Sequence, residues 1–208
     1  MEHCGDEKKD TTIYVIGFNH KLEGLDIETK RFGIRLDNAN GPTIQDSEIV
    51  GRKQGNGIDL WKFNQNTFEN LKINNVTDGI YLEKSNENAL HRNDIQRSRC
   101  GVHLMFSNEN VLAENSSRAN ITGTMLMESK WTVVSNNKFA SNNESVNAQG
   151  LLIYLSTGTE VTGNEFISNR IGIYGVVGTE LALSMNCFSN ESCSLKVLPL
   201  QLPLGVCK

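Results

Sequence analysis

The stretch Asp78-Gly-Ile-Tyr-Leu-Glu83 returns 22 residues later as Cys100-Gly-Val-His-Leu-Met105, and 22 after that as Thr122-Gly-Thr-Met-Leu-Met127. Outward from this core, the unit recurs with its glycine at Gly33, Gly57, Gly79, Gly101, Gly123, Gly150 and Gly172. The steps between these glycines are 24, 22, 22, 22, 27 and 22, and Ser194-Leu-Lys-Val197 is a weaker eighth copy. A repeat of this length, with no leucine-rich or helical signature, is the mark of a solenoid.

Two further columns keep the same beat. Apolar residues fall at Leu22, Ile44, Phe68, Leu90, Leu112, Val134, Val161 and Leu183, and three residues later a polar position settles to Asn93, Asn115, Asn137, Asn164 and Asn186. Two residues beyond that stand Ile27, Ile49, Ile73, Ile95, Ser117, Phe139, Phe166 and Phe188. All columns shift together at each irregular step. Each unit therefore holds three short apolar runs with the period of a strand, separated by Gly, Asn and Ser. No unit can bury its own apolar side, whereas stacking at ~4.8 Å per coil pairs every strand with those above and below. The spacing predicts an all-β, single-stranded right-handed parallel β-helix of about eight coils.

Glycine is expected to supply backbone freedom at one corner. Asparagine is expected to take the left-handed conformation at another, with its side chains hydrogen-bonding along the axis. Small residues at Ser85, Ser107, Ser129 and Ser156 mark a further turn. An extra strand near Thr12–Phe18 precedes the first coil, and residues 1–208 read as one domain, with 1–20 an N-terminal edge and 195–208 an irregular tail broken by Pro199 and Pro203. Two insertions stand out: two residues between Ile49 and Gly57, and five between Phe139 and Gly150, at 142–149.

Composition narrows the function. At 38% hydrophobic and 21% charged the chain belongs with globular proteins, and no apolar run reaches the ~18–20 residues of a membrane span. A net charge of -4 and no Lys/Arg cluster argue against nucleic acid. The opening Met1–Asp10 is charged and lacks the apolar core of a secretory signal, which fits a cytoplasmic protein or a mature or partial chain. The five cysteines (Cys4, Cys100, Cys187, Cys193, Cys207) form no CxxC pair; Cys187 and Cys193 are either a bridge or two free thiols.

The run Asp78–Glu83, then Arg99-Cys-Gly-Val-His-Leu-Met-Phe-Ser-Asn108, then Gly123-Thr-Met-Leu-Met-Glu-Ser129, closely resembles the NosD family. The resemblance covers about residues 20–190. It implies a periplasmic copper-binding β-helix that assists maturation of the copper centre of nitrous oxide reductase, with other maturation proteins and an ABC-type transporter as partners. Similar repeats occur in carbohydrate-binding and polysaccharide-cleaving proteins, which is the alternative.

Alternation about each glycine sends its first and third followers inward and its second and fourth outward. One outward column then reads Arg35, Asp59, Tyr81, His103, Met125, Leu152, Tyr174, and the other Asp37, Trp61, Glu83, Met105, Met127, Tyr154, Val176. His103, Met105, Met125 and Met127 become neighbours on one face, and thioether with imidazole suits Cu(I). The same residues also suit an apolar patch covered by the 142–149 loop or by a partner. Trp61, Tyr81, Tyr154 and Tyr174 form a candidate surface for sugar rings or a partner, or pack across strands as ordinary aromatics. The Asp37, Asp59 and Glu83 carboxylates do not converge as a hydrolytic pair, and a non-enzymatic protein is expected.

Overall fold

The computed structural model describes residues 10–177 and 180–199. It is a right-handed parallel β-helix. The first sheet holds nine parallel strands, one per coil: Thr11–Ile16, Phe32–Asp37, Asn56–Trp61, Asp78–Glu83, Cys100–Met105, Thr122–Met127, Gln149–Tyr154, Ile171–Val177 and Cys193–Pro199. Two sheets of eight short strands each complete the coils, the second running from Lys21–Glu23 to Leu181–Ser184 and the third from Asp26–Glu28 to Cys187–Ser189. The register follows the repeat: Ile80 faces Val102, and Val102 faces Thr124. It also absorbs both insertions, since Ile49 still faces Ile73 and Phe139 still faces Phe166.

The inward columns form one continuous core. Ile34, Ile58, Ile80 and Leu151 stack in one file, and Leu36, Leu60, Leu82, Leu104, Leu126 and Ile153 in the next, all sealed from solvent. Burying each such side chain is worth about 1.5–3 kcal/mol. From Phe139 the third sheet turns aromatic, with Phe139, Phe166 and Phe188 stacked at centroid distances of 5.0 and 4.9 Å.

Polar columns close the turns, and here two expectations need correction. The asparagine column does build an axial ladder: Asn93 donates through its backbone N–H and its Nδ2 to Asn115 Oδ1, at 3.0 and 2.9 Å, and again through Nδ2 to the Phe68 carbonyl at 3.0 Å. Asn115 treats Asn137 the same way. The left-handed residue, however, is the one before it: Asp46, Asn70, Arg92, Glu114 and Asn136 all have φ near +50°. The asparagine side chain is spent on spanning coils, so its neighbour takes the bend.

The repeat glycines are likewise not needed for backbone freedom, because none of the seven has a positive φ. They are needed for space. A Cβ on Gly79 would lie 2.4 Å from Ile95 Cγ2 and 2.5 Å from the Gly101 carbonyl oxygen, and the pattern repeats at Gly57, Gly101 and Gly123.

At the C-terminal end, pairing continues through Cys193–Pro199 against Ile171–Val177, five residues into the stretch read as an irregular tail. Met1–Lys9, with Cys4, and residues 200–208, with Pro203 and Cys207, lie outside the described residues. Cys187 and Cys193 are both free thiols. No helix among the described residues is long and apolar enough to cross a membrane.

Candidate metal centre

The outward face of the first sheet carries the site. Strand register puts Tyr81, His103 and Met125 side by side on successive coils, with Glu83, Met105 and Met127 in the adjacent file. The four residues proposed from the sequence are therefore direct neighbours: His103 pairs with Met125, and Met105 with Met127. The three methionines are partly exposed, but His103 is buried at 6% exposure.

The burial of His103 comes from residues the alternation rule did not reach. Each repeat glycine would point a Cβ inward, and so does its successor. Alternation thus breaks at the glycine, and the residue before it joins the outward face. That position reads Asn56, Asp78, Cys100, Thr122 and Gln149. The polar residues Asn56, Asp78, Thr122 and Gln149 are a partial sequence signal for it, interrupted by Phe32, Cys100 and Ile171 at the same position.

Asp78 is the hub. Its carboxylate is 2% exposed and accepts from Arg99 twice, Nε to Oδ1 at 2.9 Å and Nη2 to Oδ2 at 2.5 Å. Oδ2 also lies 3.0 Å from His103 Nδ1. Burial alone would raise this carboxyl, but the hydrogen bonds from His103 and Arg99, with the charge of Arg99, bring it below the ordinary carboxylate value. Asp78 is therefore an ionised acceptor. It follows that His103 Nδ1 carries the proton of that hydrogen bond, and in the neutral imidazole Nε2 bears the lone pair. Nε2 is buried and has no hydrogen-bond partner among the described residues.

Two neighbours lie beside the imidazole. The Tyr81 ring meets it edge-on, with centroids 5.1 Å apart and planes at 69°. The Tyr81 hydroxyl donates to Glu83 Oε2 at 2.9 Å and stands 3.6 Å from Met105 Sδ; burial and then that hydrogen bond push it well above its usual range. Cys100 is the third member of the buried group with Asp78 and His103; burial pushes its thiol far up, the Asp78 charge adding to the rise.

One ligand atom each from Asp78, Cys100 and His103 falls within a span of 4.8 Å. As they stand these three are a poor ligand set, because the carboxylate is taken up by Arg99 and Nδ1 and the thiol keeps its proton. The donors left over are His103 Nε2 and the methionine sulfurs. A buried imidazole lone pair without a partner, beside three thioethers, fits copper in its reduced, soft state.

Residues 18–197 match the family described as periplasmic copper-binding protein (NosD). The chain belongs to this family. No curated protein sequence matches it. Among solved structures, the periplasmic alginate epimerase AlgG superimposes with a TM-score of 0.73 at 17% identity, over 86% of this chain and 47% of that one. The A-module of a mannuronan C-5 epimerase from Azotobacter vinelandii gives 0.66 at 13%, over 88% and 59%. An alginate lyase from Paenibacillus gives 0.66 at 13%, over 86% and 74%. This NosD-family chain thus spans only about half of the two epimerases, and at such identities the likeness is one of fold.

The aromatic surface expected from the sequence does not assemble into one patch. Trp61 and Tyr154 are 46% and 38% exposed in the same file, but Glu83, Met105 and Met127 stand between them. Four strand steps separate them, roughly 19 Å. Lys62 Nζ sits 4.2 Å from the Trp61 ring centroid and Lys196 Nζ 5.3 Å from that of Tyr174, while Tyr81 is turned to His103. The 142–149 insertion is held by the following coil, where Arg170 Nε donates to the Val146 carbonyl at 2.9 Å.

Proposed function

We propose that this chain is a non-enzymatic accessory protein that handles Cu(I) for the copper centre of nitrous oxide reductase, in the periplasm and together with an ABC-type transporter. The observation that supports this reading most is the buried, unpartnered Nε2 of His103 next to the Met125 position, with Met105 and Met127 in the adjacent file. These residues would hold the ion as cargo. Two features suit release as well as capture: the thioethers are neutral, and they lie partly exposed at the surface where a partner can reach them. Membership of a copper-binding family supports the choice of metal.

Anaerobic titration of Cu(I) against a competing chelator tests this. Wild type is expected to bind one ion, with the affinity lowered at least tenfold in Met105→Leu/Met127→Leu and in His103→Phe. Coincident curves for all three proteins, with partner binding also unchanged, would remove the copper site.

A second reading takes the Asp78–His103 pair, with Arg99 and Tyr81, as acid–base groups on a polysaccharide. It is favoured by the fold shared with alginate-acting proteins. An ionised Asp behind a His with a bare Nε2 is the arrangement of a general base. Incubation with a panel of uronate and neutral polysaccharides, assayed for reducing ends, unsaturated products and epimerised residues, separates the two. Turnover lost in His103→Phe would establish the enzymatic reading.

A further inference from the structure

We infer that Asp78, itself clamped by Arg99, is a positioning residue that holds His103 in the one tautomer and orientation that present Nε2 as the copper donor. This rests on the copper reading above and extends it to residues that touch no ion. A ligating imidazole commonly has its second nitrogen tied to a carboxylate, which fixes the ring and raises its basicity. Here Asp78 reaches across coils to both Arg99 and His103, 21 and 25 residues away. The carboxylate is buried while the guanidinium is half exposed, at 2% against 51%, so Arg99 closes the outer side of the pair.

The fold itself does not demand this arrangement. Structural devices in the molecule recur coil after coil, as the asparagine ladder does through Asn93, Asn115 and Asn137. No other coil sets an acid against a histidine in the corresponding pair: Phe32 stands with Asp59, Asn56 with Tyr81, and Cys100 with Met125. Among the described residues an acid bonded to a buried imidazole thus occurs at one step only; the other buried acid of this face, Asp59, pairs with Arg35 at 3.5 Å and stands in register between Arg35 and Tyr81. Stability gives little reason to keep the Asp78 pair, since burying charge costs desolvation that an apolar pair would avoid.

Two readouts test the inference on wild type, Asp78→Asn, Arg99→Gln and His103→Phe. The first needs no copper: long-range 15N–1H correlation of the histidine side chains, with His103 assigned by its loss in His103→Phe. Wild type should show Nδ1 protonated and Nε2 bare, and Asp78→Asn should shift toward a tautomer mixture. The second is Cu(I) competition, where Asp78→Asn should bind about 10–100-fold more weakly, with a smaller loss in Arg99→Gln. Arg99 is exposed enough for its variant to keep the wild-type circular dichroism, so it decides the matter if Asp78→Asn does not fold. An unchanged His103 tautomer and unchanged affinity in the folded variants, with His103→Phe still weakened, would overturn the positioning role and leave the copper site standing. No loss in His103→Phe would instead remove the copper reading and this inference with it.

Discussion

A Cβ on Gly101 would lie 2.1 Å from the hydroxyl of Ser117 and 2.4 Å from the Gly123 carbonyl oxygen. Both neighbours are fixed, because the Ser117 hydroxyl donates to that same carbonyl at 2.7 Å and accepts from Asn120 Nδ2 at 3.1 Å. Gly101→Ala is therefore expected to cost about 2–3 kcal/mol by overpacking. Gly24 is the opposite case: its φ is +66°, nothing lies within 4 Å of a Cβ there, and its column mates are Asp46 and Asn70. Gly24→Asn should be within about 0.5 kcal/mol of wild type. Urea denaturation of the two variants distinguishes want of space from want of backbone freedom.

Asn115 joins three coils, accepting from Asn93 and donating to Asn137 Oδ1 and the Leu90 carbonyl. Asn115→Leu matches its size but strands the Asn93 N–H groups and the Leu90 carbonyl in the interior. At about 1–3 kcal/mol for each buried group left unsatisfied, a loss on the order of 3 kcal/mol is expected. Chemical denaturation checks it, and a change under 1 kcal/mol would mean the ladder contributes little.

Leu104 is fully buried in the middle of the longest core file. Leu104→Asp puts an unpaired carboxylate where Leu82 and Leu126 flank it, and should abolish cooperative folding at neutral pH. Native circular dichroism with a wild-type melting temperature would contradict the packing described above.

Asp78 also sets an acid limit. Its carboxyl lies below the ordinary value when folded, so it binds fewer protons in the native than in the unfolded chain. The stability it contributes is present above its unfolded pKa of about 3.9 and is lost as pH falls through the folded value. Melting temperature against pH should therefore fall less steeply below about pH 4 in Asp78→Asn than in wild type. Parallel acid limbs would show that the pair carries no linkage.

Cys100 behaves in the reverse sense. Its pKa is raised by burial, so the stability linked to it is full below the unfolded thiol value of about 8.5 and declines as pH rises above that. The thiol should also be inert in the folded protein. Iodoacetamide at pH 8, followed by peptide mass mapping, is expected to label the exposed Cys187 quickly and Cys100 only under denaturant. Equal labelling rates would place Cys100 at the surface.

The coil count, the sheet registers and the core files were legible in the sequence because a solenoid makes translation along the chain equal to translation in space. Residues 22 apart are neighbours, so spacing alone put His103 beside Met125 and Met105 beside Met127. Two things followed only from the folded backbone. The strand bends at each repeat glycine, which turns Asp78 and Cys100 onto the outward face against simple alternation. The contacts that define the centre also run diagonally, from Asp78 to a turn residue, Arg99, and to a position 25 residues on. A one-dimensional repeat shows which residues stack; which of them share a hydrogen bond, and which imidazole nitrogen is left bare, depends on side-chain directions that only the tertiary structure sets.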